Sequence, residues 1–197
     1  MLVRVIEGAL PEDSFSRARR AIAKLRGERF RESYFTSFWL PHGAQPAHAV
    51  EEAVLGLARH VEGRFAGIEW WIGRAYTTRL PIEFHFDQDV KGSGRRHPRF
   101  SSVLFFNRVR GGHLAVTDAR PGREPTRLES VKPRRNRYAI FAGDLLHGVL
   151  DARGHTPSHS PPGPKGRLRV TLVANFWDRR PSGVPQWNES RAYRGLR

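Results

Sequence analysis

From Ile68 onward the chain is a succession of short runs rich in β-branched and aromatic residues: "GIEWWIGRAYTT", "IEFHFD", "FSSVLFFN", "GGHLAVTD", "RYAIFAG", "HGVLDA" and "RLRVTLVANFW". Turn residues bound each of them. Strands of this kind must each bury a face, and the available solutions are a β-sandwich or a barrel. The preceding segment has a different period. "LVRVIEGAL" alternates weakly and predicts a short strand, while "PEDSFSRARRAIAKLRG" combines an Asp or Ser cap with apolar residues at helical spacing. In "PAHAVEEAVLGLARHVEG" Val50, Val54, Leu57 and Val61 recur every three or four residues, which predicts a helix over about 46–62 that stops at Gly63. The expected fold class is therefore α+β, mainly β, with N-terminal helices packed on one sheet. At 197 residues one domain is expected, divided into a helical support region at 1–67, a β core at 68–180 and an Arg-rich tail at 181–197.

Hydrophobic residues at 39% and aromatics at 11% describe a globular chain, not a disordered one. No apolar run approaches the ~20 residues that span a bilayer. The start, "MLVRVIEGALPEDS", is too briefly apolar and too acidic for a secretion signal, so the expected location is the cytoplasm. Cysteine is absent, which excludes disulfides, thiolate ligands and a cysteine nucleophile. A metal would have to be held by His, Asp or Glu, and such donors favour iron, manganese or zinc. The formal charge of +15 would attract polyanions. However, 30 Arg against 4 Lys is a compositional skew, and the clusters "RARR", "GRRHPR", "PRRNR" and "DRRP" are scattered. Nucleic acid therefore ranks below an anionic small molecule or an acidic peptide as partner.

Three motifs carry chemistry. In "FHFDQDV" His85 and Asp87 share one face of a strand while Phe84 and Phe86 take the other. Alone, this triplet is weak evidence, since a hydrogen-bonded structural pair explains it too. In "FAGDLLHGVL", residues 141–150, a strand ends at Gly143-Asp144 and His147 heads the next segment. By itself His147 reads as an ordinary loop or partly buried histidine. With His85 and Asp87 it makes two nitrogen donors and one carboxylate, a set that covers one side of a metal and leaves the other open. In "GRLRVTLVANFWD", residues 166–178, Arg169 and Thr171 face away from Val170 and Leu172. A guanidinium inside a barrel is costly unless an anion pairs with it, and Arg clamps carboxylates in bidentate fashion. An acidic protein neighbour would serve as well as a ligand, and Arg167 has the same parity as Arg169.

Taken in order, these motifs resemble the iron(II)/2-oxoglutarate-dependent dioxygenases, in particular the prolyl-hydroxylase-like branch. The resemblance runs from about Tyr76 to Asp178, through "HFD", "SSVLFFNRVRGGHLAVTD", "RYAIFAGDLLHGV" and "RVTLVANFWD". Asp87 and His147 are 60 residues apart, as is usual for that branch. His147 and Arg169 are 22 apart, and the Pro-rich loop "GHTPSHSPPGPKG" at 154–166 accounts for the excess. The resemblance implies a double-stranded β-helix, the distorted jelly roll also seen in cupins. It implies that His85, Asp87 and His147 hold iron(II), that Arg169 holds the distal carboxylate of 2-oxoglutarate with help from Thr171, and that Tyr76 hydrogen-bonds the co-substrate. The implied activity is hydroxylation of an unactivated C–H of an amino-acid side chain, free or in a peptide or protein. O2 is then a further substrate, ascorbate an accessory reductant, and loop 154–166 a lid.

Departures from the pattern narrow this. His113 stands where an acidic residue often follows the Gly-Gly pair and reads as strand decoration. Asp87 argues against a halogenase, which needs a small residue there. Thr171 and Asn175 stand where nucleic-acid demethylases of the superfamily carry Asn and a second Arg. The alternatives are a nucleic-acid oxygenase of the same superfamily and a cupin-like metal-binding module without oxygenase activity. His97, His155 and His159 are expected in solvent, and Trp70 and Trp71 in core and rim packing.

Overall fold

The structure, a computed structural model, describes residues 1–25, 36–77, 83–89, 91–92, 96–156 and 166–196. Its elements in chain order are β1 (Arg4–Glu7), α1 (Glu12–Lys24), β2 (Phe38–Pro41), α2 (Ala49–Ala58), β3 (Gly67–Tyr76), β4 (Phe100–Phe105), β5 (His113–Thr117), β6 (Leu128–Val131), β7 (Arg137–Ala142), β8 (His147–Leu150) and β9 (Leu168–Trp177). A six-stranded antiparallel sheet has the order β1-β7-β4-β9-β3-β2, and a three-stranded sheet has the order β6-β5-β8.

Alternation along the strands of the large sheet decides what each face does. Trp70, Ile72, Leu104, Tyr138, Ile140, Leu172, Ala174 and Phe176 point to one side. There they form one buried cluster with Phe15, Ala18 and Ile22 of α1 and Val50, Val54 and Leu57 of α2. Val103, Phe105, Ala139 and Phe141 point to the other side and pack against Leu114, Val116 and Val131 of the small sheet. Fully burying a side chain of this size stabilises the fold by roughly 1.5–3 kcal/mol. The chain is thus a helix layer on a large sheet that faces a small one, the architecture of a distorted jelly roll.

Several elements differ from the sequence expectation. The helix expected over 46–62 is confined to Ala49–Ala58, with His48 as its cap and Gly63 beyond its end at a φ of 91°. The α1 cap is Pro11, and Glu12 and Asp13 stand in its first turn. The N-terminal region is not only helical, because β1 pairs with β7 and β2 with β3 at the two edges of the large sheet. β2 and β6 were not expected, and the described residues of "IEFHFD", 83–87, form no strand. Among its described residues, His85 makes an isolated bridge to His147 and no ladder follows. Trp187, Tyr193 and Leu196 dock the tail into the helix-side core. No described helix is long and apolar enough to cross a membrane.

Candidate active site

The space between the two sheets holds a cavity of about 260 Å³ whose lining includes His85, Asp87, His147, Arg169 and Thr171. β8 supplies His147 at its first residue, paired with Val116 of β5. His85 is fixed to it through the backbone. His85 N donates to His147 O at 2.8 Å and His147 N to His85 O at 3.0 Å. Gly148 allows this approach, because a Cβ there would lie 2.9 Å from the Phe84 ring and 3.0 Å from the Phe84 nitrogen.

One ligand atom from each of His85, Asp87 and His147 lies within 4.8 Å of the others. His85 Nε2 is 3.7 Å from Asp87 Oδ1, and His147 Nε2 is 3.5 Å from Asp87 Oδ2. The Nδ1 atoms face backbone carbonyls, that of Glu83 at 2.8 Å for His85 and that of Leu145 at 2.9 Å for His147. A carbonyl only accepts, so both Nδ1 atoms carry the proton and both Nε2 lone pairs are turned toward the carboxylate. Lone pairs facing a carboxylate repel it unless a cation lies between them. This donor set therefore fits a divalent metal with one side open.

The electrostatics tie the three groups together. Burial pushes the Asp87 carboxyl up, but positive charge on His147 and His85 and the Ser101 hydroxyl outweigh it and hold the group well below the usual carboxylate range. Burial pushes His147 down. Burial also pushes His85 down, but the Asp87 carboxylate and the Glu83 carbonyl leave it raised overall. Asp87 Oδ2 accepts from Ser101 Oγ at 2.6 Å and from Asn175 Nδ2 at 3.0 Å. His97 Nδ1 donates to the Asp87 carbonyl at 2.7 Å. His97 is therefore half-buried against the metal segment and not in solvent as expected.

Arg169 and Thr171 lie on the site face of β9, as their spacing predicts, and both are buried. Arg169 Nε donates to Gly112 O at 2.9 Å, and its guanidinium lies 5.2 Å from the centre of the Phe105 ring. The second glycine of "GG" is required here. Gly112 has a φ of 67°, and a Cβ on it would meet Arg169 Cδ at 2.6 Å. Arg167 is exposed just ahead of β9, whereas Arg169 is buried and lines the cavity.

Tyr76 lies apart from the other expected site residues. It pairs with Leu168, one register step from the Ala75 and Arg169 pair, so alternation sends it to the face opposite Arg169, and it is absent from the cavity lining. His113, at the start of β5, also stays outside the lining. His155 is exposed, 3.5 Å from Asp151. His159 and most of the expected lid lie outside the described residues. Trp70 is core as expected, whereas Trp71 lines the cavity. Sequence reasoning missed Ser101, Asn175 and Glu69, since only the strand register brings them to the site.

Residues 74–177, more than half of the chain, match the family model of the 2OG-Fe(II) oxygenase superfamily. The chain belongs to that superfamily. It is an oxidoreductase whose metal and co-substrate are iron(II) and 2-oxoglutarate. No curated protein matches it in sequence. Among solved structures it is similar to a prolyl-4-hydroxylase from Pseudomonas putida, with 19% identity over 90% of this chain and 86% of that one and a TM-score of 0.52. It is also similar to HygX from Streptomyces hygroscopicus with nickel and 2-oxoglutarate bound, at 11% identity, 94% and 85% coverage and a TM-score of 0.55. A third is a prolyl hydroxylase from Trichoplax adhaerens in complex with a hypoxia inducible factor peptide fragment, at 11% identity, 89% and 83% coverage and a TM-score of 0.53. At these identities the likeness speaks for the fold.

Proposed function

We propose that the protein hydroxylates an unactivated C–H bond of an amino-acid side chain, free or within a peptide or protein. In this reading His85, Asp87 and His147 hold iron(II), and Arg169, assisted by Thr171, holds the distal carboxylate of 2-oxoglutarate. The observation that carries it is that the three donors and the buried guanidinium line one cavity. Two prolyl hydroxylases among the structural neighbours, one of them bound to a peptide fragment, support the substrate class.

Iron(II) and 2-oxoglutarate, when bound, supply O2 activation coupled to oxidative decarboxylation of the co-substrate to succinate and CO2, and with it C–H hydroxylation. The chain's own residues do the positioning. The Glu83 and Leu145 carbonyls fix the tautomers of both histidines, and Ser101 and Asn175 keep Asp87 ionised and oriented. Burial of the Arg169 guanidinium strengthens its attraction for a carboxylate. Val103, Leu114, Phe141, Val149 and Val173 give the cavity apolar walls that limit water around the reacting groups.

The test is succinate formation from 2-oxoglutarate with added iron(II). Wild type is expected to produce succinate, His147→Ala to produce none, and Arg169→Ala to need at least about tenfold more 2-oxoglutarate. Wild type without iron-dependent succinate formation would refute the assignment. A panel of amino acids and peptides, scored by the gain of one oxygen atom, then identifies the substrate.

A further inference from the structure

One carboxyl in the cavity has no part in the metal set. Glu69 lies on the site face of β3, directly across from Asn175 of β9. One of its oxygens accepts from Ser37 Oγ at 2.7 Å and the other from Trp177 Nε1 at 3.1 Å. These donors fix the carboxyl in place but, being neutral, do not match a charge. Other acids of the chain have cationic partners: Asp89 has Arg96, Glu129 has Arg127 and Asp144 has Arg120. Among the described residues no Lys, Arg or His forms an ion pair with Glu69. Burial, joined by Asp87 and Asp89, raises its carboxyl to about 7, as expected where the described residues place no positive charge against it.

Loading the site does not supply that charge. The two positive charges of iron(II) and the one of Arg169 are matched by Asp87 and the dianionic co-substrate. Glu69 is left over on the lining of the cavity. Trp71, two residues along β3 on the same face, also lines the cavity and offers an aromatic surface to a cation.

We propose that Glu69 and Trp71 form the subsite for a cationic group of the prime substrate, an ammonium or guanidinium; this rests on the oxygenase reading of the cavity. The substrate is then an amino acid or peptide that presents a free amine or a guanidino group near the carbon to be hydroxylated. The basic surface does not contradict this. Its repulsion is screened beyond roughly 10 Å at moderate salt, whereas contact inside the cavity is not.

The test loads the enzyme with iron(II) and 2-oxoglutarate without oxygen and titrates it calorimetrically with n-butylammonium, n-butylguanidinium, 1-butanol and butyrate. The two cations are expected to bind about tenfold more tightly than 1-butanol, and butyrate more weakly than either class. In Glu69→Gln the cation preference disappears while 1-butanol and 2-oxoglutarate bind as before. Cations that bind no better than 1-butanol to wild type, or a preference that survives Glu69→Gln, would overturn the proposal. Should Glu69→Gln fail to fold, the wild-type order of cation, alcohol and carboxylate decides alone. Failure of iron-loaded wild type to bind 2-oxoglutarate, or to yield succinate in air, overturns the oxygenase reading and this proposal with it. Loss of the cation preference alone leaves that reading standing.

Discussion

Asp87 is held by residues from two strands of the large sheet, Ser101 of β4 and Asn175 of β9. Removing either leaves the ligand present but free to turn. Ser101→Ala and Asn175→Leu should each weaken iron(II) binding by about 10- to 100-fold in an anaerobic titration, and unchanged affinity would show that neither positions the ligand. Glu69 sets a pH dependence. Its folded value of about 7 lies above its ordinary value of 4.5, so the folded protein holds this proton more tightly than the unfolded chain. Stability from this group is full below 4.5 and declines as pH rises through 7, by about 3 kcal/mol at most. In metal-free protein, Glu69→Gln should raise the denaturant midpoint at pH 8 and change it little at pH 5. An equal effect at both pH values would contradict the burial account. The contrast with sequence reading is chemical. Arg169 stands out because a guanidinium is costly on a strand interior, and His85, Asp87 and His147 because together they make a metal donor set, whereas a serine, an asparagine and a glutamate on strands signify nothing until register brings them to the site.

At the scale of elements, two glycines place the chemistry. Gly148 lets the segment of Phe84 lie against β8, and Gly112 leaves room for Arg169. Gly148→Ala should lower metal affinity by pushing the His85 segment away from His147, and an iron(II) titration measures it. Gly112→Ala should raise the 2-oxoglutarate dissociation constant by about 10- to 100-fold, the loss of a charge-assisted pair, with a smaller effect on iron(II). Equal losses in both ligands would contradict the role given to Gly112. Strong period-two runs such as "RVTLVANFW" were legible as strands because both faces are apolar or functional. β2 and β6 were not, because "FWLP" ends in proline and "LESV" is half polar, and each is made a strand by its neighbour's ladder. The reverse holds for "IEFHFD", whose aromatic alternation suggested a strand. The residues described there carry one bridge and no ladder.

For the molecule as a whole, the large sheet separates two tasks. One face carries the apolar cluster with α1, α2 and the docked tail, and the other meets the small sheet around the cavity. The layered class was readable from the change of hydrophobic period near Ile68. The pairing of β1 with β7 was not, since the partners are more than a hundred residues apart and nothing local encodes their meeting. The central claim is that this inner face holds a metal and an anionic co-substrate together. A crystal structure of the protein with manganese(II) and 2-oxoglutarate tests it most directly. The account predicts the ion coordinated by His85 Nε2, the Asp87 carboxylate and His147 Nε2, with the far carboxylate of 2-oxoglutarate on the Arg169 guanidinium. An ion bound elsewhere, or a co-substrate whose far carboxylate does not meet Arg169, would contradict it.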